Sequence, residues 1–159
     1  MGTRWLDQSQ QHSWRALILG MTLLIDRLDD DLSREHGLSL TEYEILMRLS
    51  EAPGRQMRMA RLAEALAHSR SRVTHTVQRM EKSDLVLRCE SPEDGRGVLC
   101  QLTDHGFEVL EKSAVTHVDG VRAYLVDLAS PEDFAAVGRV MDAVADQLVS
   151  EHPAMEIRV

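Results

Sequence analysis

A basic and polar segment at residues 68–82, HSRSRVTHTVQRMEK, carries the most chemically capable side chains of this sequence. Apolar residues recur in it at Val73, Val77 and Met80, which is the spacing of one helix face. The opposite face has only hydrogen-bonding side chains and no Asp or Glu. Arginine and glutamine read base edges, and arginine, lysine, serine and threonine bind phosphates. The candidate nucleic-acid contacts are therefore Arg70, Ser71, Arg72, Thr74, His75, Gln78, Arg79 and Lys82.

A second candidate contact is the turn-rich loop at residues 91–97, SPEDGRG, which separates two runs with strand character. Arg96 lies at its glycine-flanked tip, where an arginine can enter a DNA minor groove and meet its negative potential. Asp94 could brace that guanidinium by a bidentate pair. The alternative is an ordinary hairpin turn with a surface ion pair, worth less than about 1 kcal/mol.

The distribution of charge favours a polyanionic partner for the same region. The 159-residue chain has a formal net charge of −8. Residues 54–100 hold nine Lys/Arg against six Asp/Glu, a net charge of +3, whereas the remainder holds nine against twenty, a net charge of −11. A cationic segment between acidic flanks is the expected footprint of a nucleic-acid site, although uneven charge on an ordinary surface gives the same numbers.

The elements that must position these residues begin with two helices. Apolar residues at three- and four-residue spacing predict a long amphipathic helix over 14–32, ending near Gly37. Thr41 and Glu44 form a capping-box pattern, which predicts that a second helix starts at Thr41 and stops before Pro53.

The following residues predict a compact helical pair and a hairpin. A short helix over 60–66 and a tight connection lead to a helix over 70–83, with Ser69 as its N-cap. Strands are expected over 86–90 and 98–102, and two more helices over about 104–128 and 131–150. A tight helix-turn-helix followed by a hairpin is the winged helix-turn-helix arrangement.

Three segments carry a resemblance to a known family: LSLTEYEILMRLSEAPG, RMARLAEALAHSRSRVTHTVQRMEKSDLVLR and SPEDGRGVLCQLTDHGFEVLE. Over nearly its whole length the chain resembles the MarR family of transcriptional regulators. The family's wing pattern is Asp-x-Arg, an apolar strand, Leu-Thr and then glycine, which reads here Asp94-Gly95-Arg96, Val98-Leu99, Leu102-Thr103 and Gly106. Asp84 departs from the family, which usually has glycine at the end of this helix.

The resemblance implies a mainly α fold with a small β-hairpin wing (α+β) in a single domain, residues 1–159. It implies a winged helix-turn-helix DNA-binding lobe at 38–103 and a helical dimerization region at 5–37 and 104–150. The expected protein is a homodimer that binds double-stranded DNA at a pseudo-palindromic operator and represses transcription. Half-sites about one helical turn apart would match such a dimer.

The resemblance also implies a small-molecule effector, because many members bind phenolic or aromatic acids between the dimerization helices and the DNA-binding lobe. By position, the candidates are Trp14 and Arg15 on the first helix and Tyr43 and Met47 on the second. Flat apolar surface beside a cation suits an aromatic carboxylate. The alternatives are a dimer-interface role for Trp14 and a solvated surface charge for Arg15.

A redox-responsive regulator is one alternative function. Cys89 and Cys100 are placed in the two wing strands so that they could face each other, and their oxidation would then distort the wing. A winged helix that binds protein instead of DNA is the other alternative, although such faces favour apolar anchors.

Other classes of function find no support in the sequence. No nucleophile elbow, phosphate-binding glycine loop or metal-ligand spacing of the seven histidines is present, so we expect neither an enzyme nor a cofactor nor a metal site. The longest apolar run, residues 17–25, is too short for a membrane helix, which needs about 20 residues. No signal peptide is recognisable at the N-terminus, and a cytoplasmic location is expected.

Overall fold

The computed structural model describes residues 2–93, 95 and 97–150. It consists mainly of helices with a small three-stranded antiparallel sheet, so the predicted fold class is confirmed. In chain order the elements are α1 (Gln8–His36), α2 (Leu40–Glu51), β1 (Gln56–Arg58), α3 (Met59–Ala65), α4 (Arg70–Lys82), β2 (Val86–Glu90), β3 (Val98–Leu102), α5 (Asp104–Tyr124) and α6 (Pro131–Ser150).

Helix α1 begins six residues before the predicted residue 14 and ends where the sequence indicated. Asp7 caps it in a reciprocal capping box with Gln10, in which each side chain accepts the other residue's backbone N–H. At the other end Gly37 adopts the left-handed conformation, with φ 66°, and its N–H donates to carbonyls of the last turn.

The predicted cap of α2 was wrong by two residues. Ser39 is the N-cap: its hydroxyl accepts the Glu42 N–H at 3.1 Å, and the Glu42 carboxylate accepts the Ser39 N–H at 2.9 Å. Thr41 lies inside the helix and therefore caps nothing. Asp29 of α1 fixes the earlier start, because its carboxylate accepts the N–H of Leu40 at 2.7 Å.

The sheet contains a strand that the sequence analysis missed. β1 is three residues long and pairs with β3, which lies between β1 and β2. The two wing strands match their predicted limits, and their register pairs Val86 with Leu102 and Glu90 with Val98. A strand of three residues carries too little alternation to be recognised.

One aliphatic core joins the helices to the sheet. Leu32 of α1, Leu46 of α2, Leu62 of α3 and Val77 of α4 are fully buried in it. α4 packs against α2, α3 and β2, so its orientation is fixed from three sides. This packing holds the outer face of α4 in a defined position.

The start of α5 is fastened to the end of the helix-turn-helix. The Thr103 hydroxyl donates to the Asp84 and Leu85 carbonyls and accepts the Gly106 N–H. A side chain at residue 106 would overlap the Leu85 carbonyl oxygen. Thr103 and Gly106 of the wing pattern therefore allow the start of α5 to approach the backbone of Leu85 closely.

Candidate nucleic-acid interface

Helix α4 presents the predicted polar face to solvent. Ser69 caps the helix as expected, with its hydroxyl accepting the Arg72 N–H at 3.3 Å. Val73, Val77 and Met80 are buried, together with Thr76. Of the eight candidate residues, Thr74 is half-buried and seven are exposed: Arg70, Ser71, Arg72, His75, Gln78, Arg79 and Lys82.

The cations on this face are largely available for an external partner. Arg79 Nε lies 3.7 Å from Glu42 of α2, while 65% of the Arg79 side chain stays exposed. Within residues 2–93, 95 and 97–150, Arg70, Arg72 and Lys82 form no ion pair. The Thr74 hydroxyl donates to the Arg70 carbonyl at 2.9 Å, which leaves it the acceptor role towards a ligand.

The turn that precedes α4 includes a half-buried histidine, His68. Burial lowers the pKa of His68 below its usual value, and the positive charge of Arg72 lowers it further. The imidazole is therefore neutral at neutral pH. Ala67, its neighbour, has a φ of 52°, so the chain reverses here through a left-handed residue.

Asp84, where the family usually has glycine, lies just beyond the C-terminal end of α4. The helix ends at Lys82, and Asp84 takes the left-handed conformation with φ 58°, as a glycine would. The Leu85 N–H then donates to the Met80 carbonyl and the Asp84 N–H to the Glu81 carbonyl. The chain thus makes the usual helix stop with aspartate in place of glycine.

The base of the wing loop is closed by backbone hydrogen bonds. The Ser91 N–H donates to the Gly97 carbonyl at 2.8 Å, and the Gly95 N–H donates to the Ser91 carbonyl at 3.1 Å. The two predicted contacts of the loop, Asp94 and Arg96, lie outside the described residues.

The expected pairing of Cys89 with Cys100 is wrong. Cys89 lies opposite Leu99, and Cys100 lies opposite Arg88, so the two thiols point to opposite faces of the sheet. Cys89 is exposed, whereas Cys100 is buried in the core. Burial raises the pKa of the Cys100 thiol to about 12, which keeps it protonated and unreactive. A Cys89–Cys100 pair would need a strand register shifted by one residue from the one that β2 and β3 adopt.

A single chain does not bring the four effector candidates together. Trp14 and Arg15 are exposed near the start of α1, whereas Tyr43 is buried and Met47 half-buried in α2. The start of α2 contacts α1 at Asp29, which lies roughly 22 Å along the helix from Trp14 at 1.5 Å per residue. Tyr43 instead stacks against His117 of α5, with ring centroids 4.4 Å apart.

A helix-turn-helix whose second helix exposes a cationic polar face, followed by a two-stranded wing that pairs with the short strand β1, defines a winged helix-turn-helix DNA-binding protein. The chain belongs to the MarR family of transcriptional regulators: the family's model matches residues 36–97. A curated relative, the HTH-type transcriptional regulator PecS of Dickeya dadantii, is 31% identical over 125 residues, covering 76% of this chain and 75% of PecS.

Two solved structures from Streptomyces coelicolor share both sequence and fold with the chain. AbsC, a MarR family transcriptional regulator, is 40% identical with a TM-score of 0.88 and covers 93% of this chain and 99% of its own. Sco3205, a MarR family transcriptional regulator solved in complex with DNA, is 41% identical with a TM-score of 0.89 and covers 92% of each chain. The family is not an enzyme family, so that prediction is confirmed.

The described residues contain neither a metal-binding cluster nor a membrane-spanning helix. No three His, Cys, Asp or Glu side chains converge there as metal ligands would. Across the same residues, every helix is too short or too polar to span a bilayer.

Proposed function

We propose that the protein is a repressor that binds a pseudo-palindromic operator as a homodimer and is released by a small effector. The observation that carries the proposal is the outer face of α4, where arginine, glutamine, histidine, serine and lysine side chains are exposed and acidic side chains are absent. Such a face matches the donors and acceptors of a major groove and the phosphates beside it.

The two ends of α4 are assigned different partners. A recognition helix enters the groove with its N-terminal half. Residues Arg70, Ser71, Arg72, Thr74, His75 and Gln78 therefore meet bases or their flanking phosphates, whereas Arg79 and Lys82 meet the backbone. Arg96 of the wing enters the neighbouring minor groove, braced by Asp94.

Homodimerization is supported by apolar side chains that one chain leaves exposed. α6 makes only sparse contacts with the other described elements. Exposed large apolar residues lie on α1, α5 and α6, at Trp14, Ile18, Met21, Ile25, Val115, Val118, Phe134, Val137, Val144 and Leu148. Large apolar side chains exposed in this number along three helices are typical of a surface that another subunit covers. A two-fold dimer of these helices accounts for a symmetric operator.

The proposed effector site needs both subunits. Trp14 and Arg15 are too far along α1 from Tyr43 and Met47 of the same chain to line one pocket. A partner subunit that places its α1 N-terminal turns beside α2 would complete it. Arg15→Ala should then weaken release by an aromatic acid without weakening DNA binding, and unchanged release would remove Arg15 from the site.

Fluorescence anisotropy of the purified protein tests the core of the proposal. DNA from upstream of its own gene is compared with scrambled DNA of equal length at two salt concentrations. We expect tight, salt-sensitive binding that prefers the upstream DNA. The contrary result is equal binding to both DNAs, together with a random-sequence selection that enriches no site. That result would contradict operator recognition and favour a winged helix that binds protein.

Variants of two surfaces separate base contacts from backbone contacts. Arg72→Ala and Gln78→Ala should blunt the preference among operator sequences, each by about 1–3 kcal/mol. Arg96→Ala should weaken binding to all sequences and reduce the salt slope by about one. An Arg96→Ala dimer that binds DNA normally would refute the wing contact.

A further inference from the structure

Arg58, which no sequence motif marks as a functional residue, lies where the wing loop rejoins the sheet. It is the last residue of β1 and pairs with Leu99 of β3. Leu99 follows the end of the loop, Gly97, by two residues. Although it is charged, Arg58 is half-buried. Its guanidinium lies next to the loop, close to Gly97.

The C-terminal limb of the loop leaves space for this guanidinium at Gly97. A Cβ at residue 97 would overlap Nη1 of Arg58 and lie 3.3 Å from its Cζ. The backbone at Gly97 is not left-handed, in contrast to Gly95 with a φ of 63°. Glycine at residue 97 is therefore needed because it leaves space for Arg58, and not because of its backbone conformation.

The N-terminal limb of the loop also approaches this guanidinium. Nη2 of Arg58 lies 3.9 Å from a carboxylate oxygen of Glu93. Between the limbs, Ser91 is buried and its N–H donates to the Gly97 carbonyl. One side chain from a different strand thus lies close to both limbs of the loop at its closed base.

We propose that Arg58 is a positioning residue of the wing: its guanidinium bridges Glu93 and Gly97 and so sets the direction in which the loop leaves the sheet. A planar guanidinium suits this role because it presents donors in several fixed directions, which an ammonium group does not. The expected effect on DNA binding rests on the proposed function, in which the wing enters a groove of the DNA.

Gly97→Ala is the sharpest probe, because its methyl group displaces the Arg58 guanidinium without straining the backbone. In the full-length protein without DNA, amide hydrogen exchange in residues 91–97 should rise about tenfold, as expected when a local anchor is lost. Arg58→Gln should give the same increase. Adding Gly97→Ala to Arg58→Gln should change nothing further, because both remove one contact. Additive increases, or none, would overturn the proposal.

DNA affinity then separates positioning from direct contact. Both variants should bind operator DNA roughly tenfold more weakly, with thermal unfolding midpoints close to that of the parent. Arg58→Lys keeps the charge but should behave like Arg58→Gln. Normal affinity in Arg58→Lys, with unchanged exchange, would mean that residue 58 acts as a phosphate-binding charge and would overturn positioning.

Two further variants keep this test separate from the proposed function. Lys82→Gln removes a cation from α4 and should weaken DNA binding while leaving exchange in residues 91–97 at the parent rate. If Arg96→Ala binds DNA normally, the wing contact itself fails. The exchange measurements on Gly97→Ala and Arg58→Gln still decide whether Arg58 holds the loop.

Discussion

Arg88 of β2 and Glu81 of α4 are joined by two hydrogen bonds. The Arg88 backbone N–H donates to one carboxylate oxygen of Glu81 at 2.9 Å, and its Nε donates to the other at 2.8 Å. The side chains are only 29% and 26% exposed, which limits screening by solvent. This pair ties α4 to the first strand of the wing, so the two proposed DNA-contacting elements form one unit.

Removal of one member of this pair should therefore weaken both the fold and the DNA complex. Arg88→Met should lower the free energy of unfolding by about 1–2 kcal/mol, because the Glu81 carboxylate loses its charge-assisted hydrogen bond from the Arg88 side chain. Urea titration measures this loss. The control is Arg122→Met, which removes an exposed pair with Asp127 and should cost less than about 0.5 kcal/mol. Equal losses in the two variants would contradict the coupling of α4 to β2.

Gly106 provides a second test, because it lies where α5 starts against the end of the helix-turn-helix. Gly106→Ala should lower the free energy of unfolding by about 1–3 kcal/mol, since its methyl group meets the Leu85 carbonyl, a backbone atom that cannot turn away. Gly20→Ala in α1 is the matched control, because nothing lies within 4 Å of a Cβ there. That control should be stabilising by about 0.5–1 kcal/mol, from helix propensity alone. A Gly106→Ala protein as stable as the parent would show that the backbone at Leu85 can move away from residue 106.

The sequence was sufficient wherever a structural feature is local. The limits of α4, its Ser69 cap and both wing strands follow from spacing and capping chemistry within a few residues. The exposed face of α4 was predicted for the same reason, because a helix that buries Val73, Val77 and Met80 must turn the opposite residues outward.

Features decided by tertiary contacts could not be predicted. Ser39 and Thr41 both begin capping-box patterns, and the Asp29 carboxylate on the Leu40 N–H selects the first. The cysteines were mispaired because strand register depends on loop geometry that spacing does not reveal. Arg58 was overlooked because its contacts come from a strand too short to recognise.

Asp84 allows a test of backbone strain at the stop of α4. Asp84→Gly should raise the free energy of unfolding by up to about 1 kcal/mol, because glycine adopts the left-handed conformation without the penalty of a Cβ. Ser83→Gly is the control, because its φ of −95° gives glycine no advantage, and it should be destabilising by about 0.5 kcal/mol. Chemical denaturation of both proteins gives the comparison. A loss of stability in Asp84→Gly would mean that the aspartate side chain contributes more than its conformation costs.

His117 makes the stability of the protein depend on pH. Its imidazole packs against Tyr43, its Nδ1 is buried with no hydrogen-bond partner among the described residues, and burial lowers its pKa. The unfolded chain therefore binds a proton at His117 more readily than the folded one. Stability is full above the usual histidine pKa of about 6.5 and is lost as the pH falls towards the lowered folded value.

His117→Phe keeps a ring against Tyr43 but cannot take up a proton. Between pH 7 and pH 5.5 its free energy of unfolding should fall less steeply than that of the parent protein, with the remaining slope arising in part from His68, whose pKa is also lowered. Urea titrations at several pH values measure the two slopes. A parent slope in His117→Phe would show that the α2–α5 contact tolerates a protonated imidazole, because the charge then reaches solvent without disturbing Tyr43.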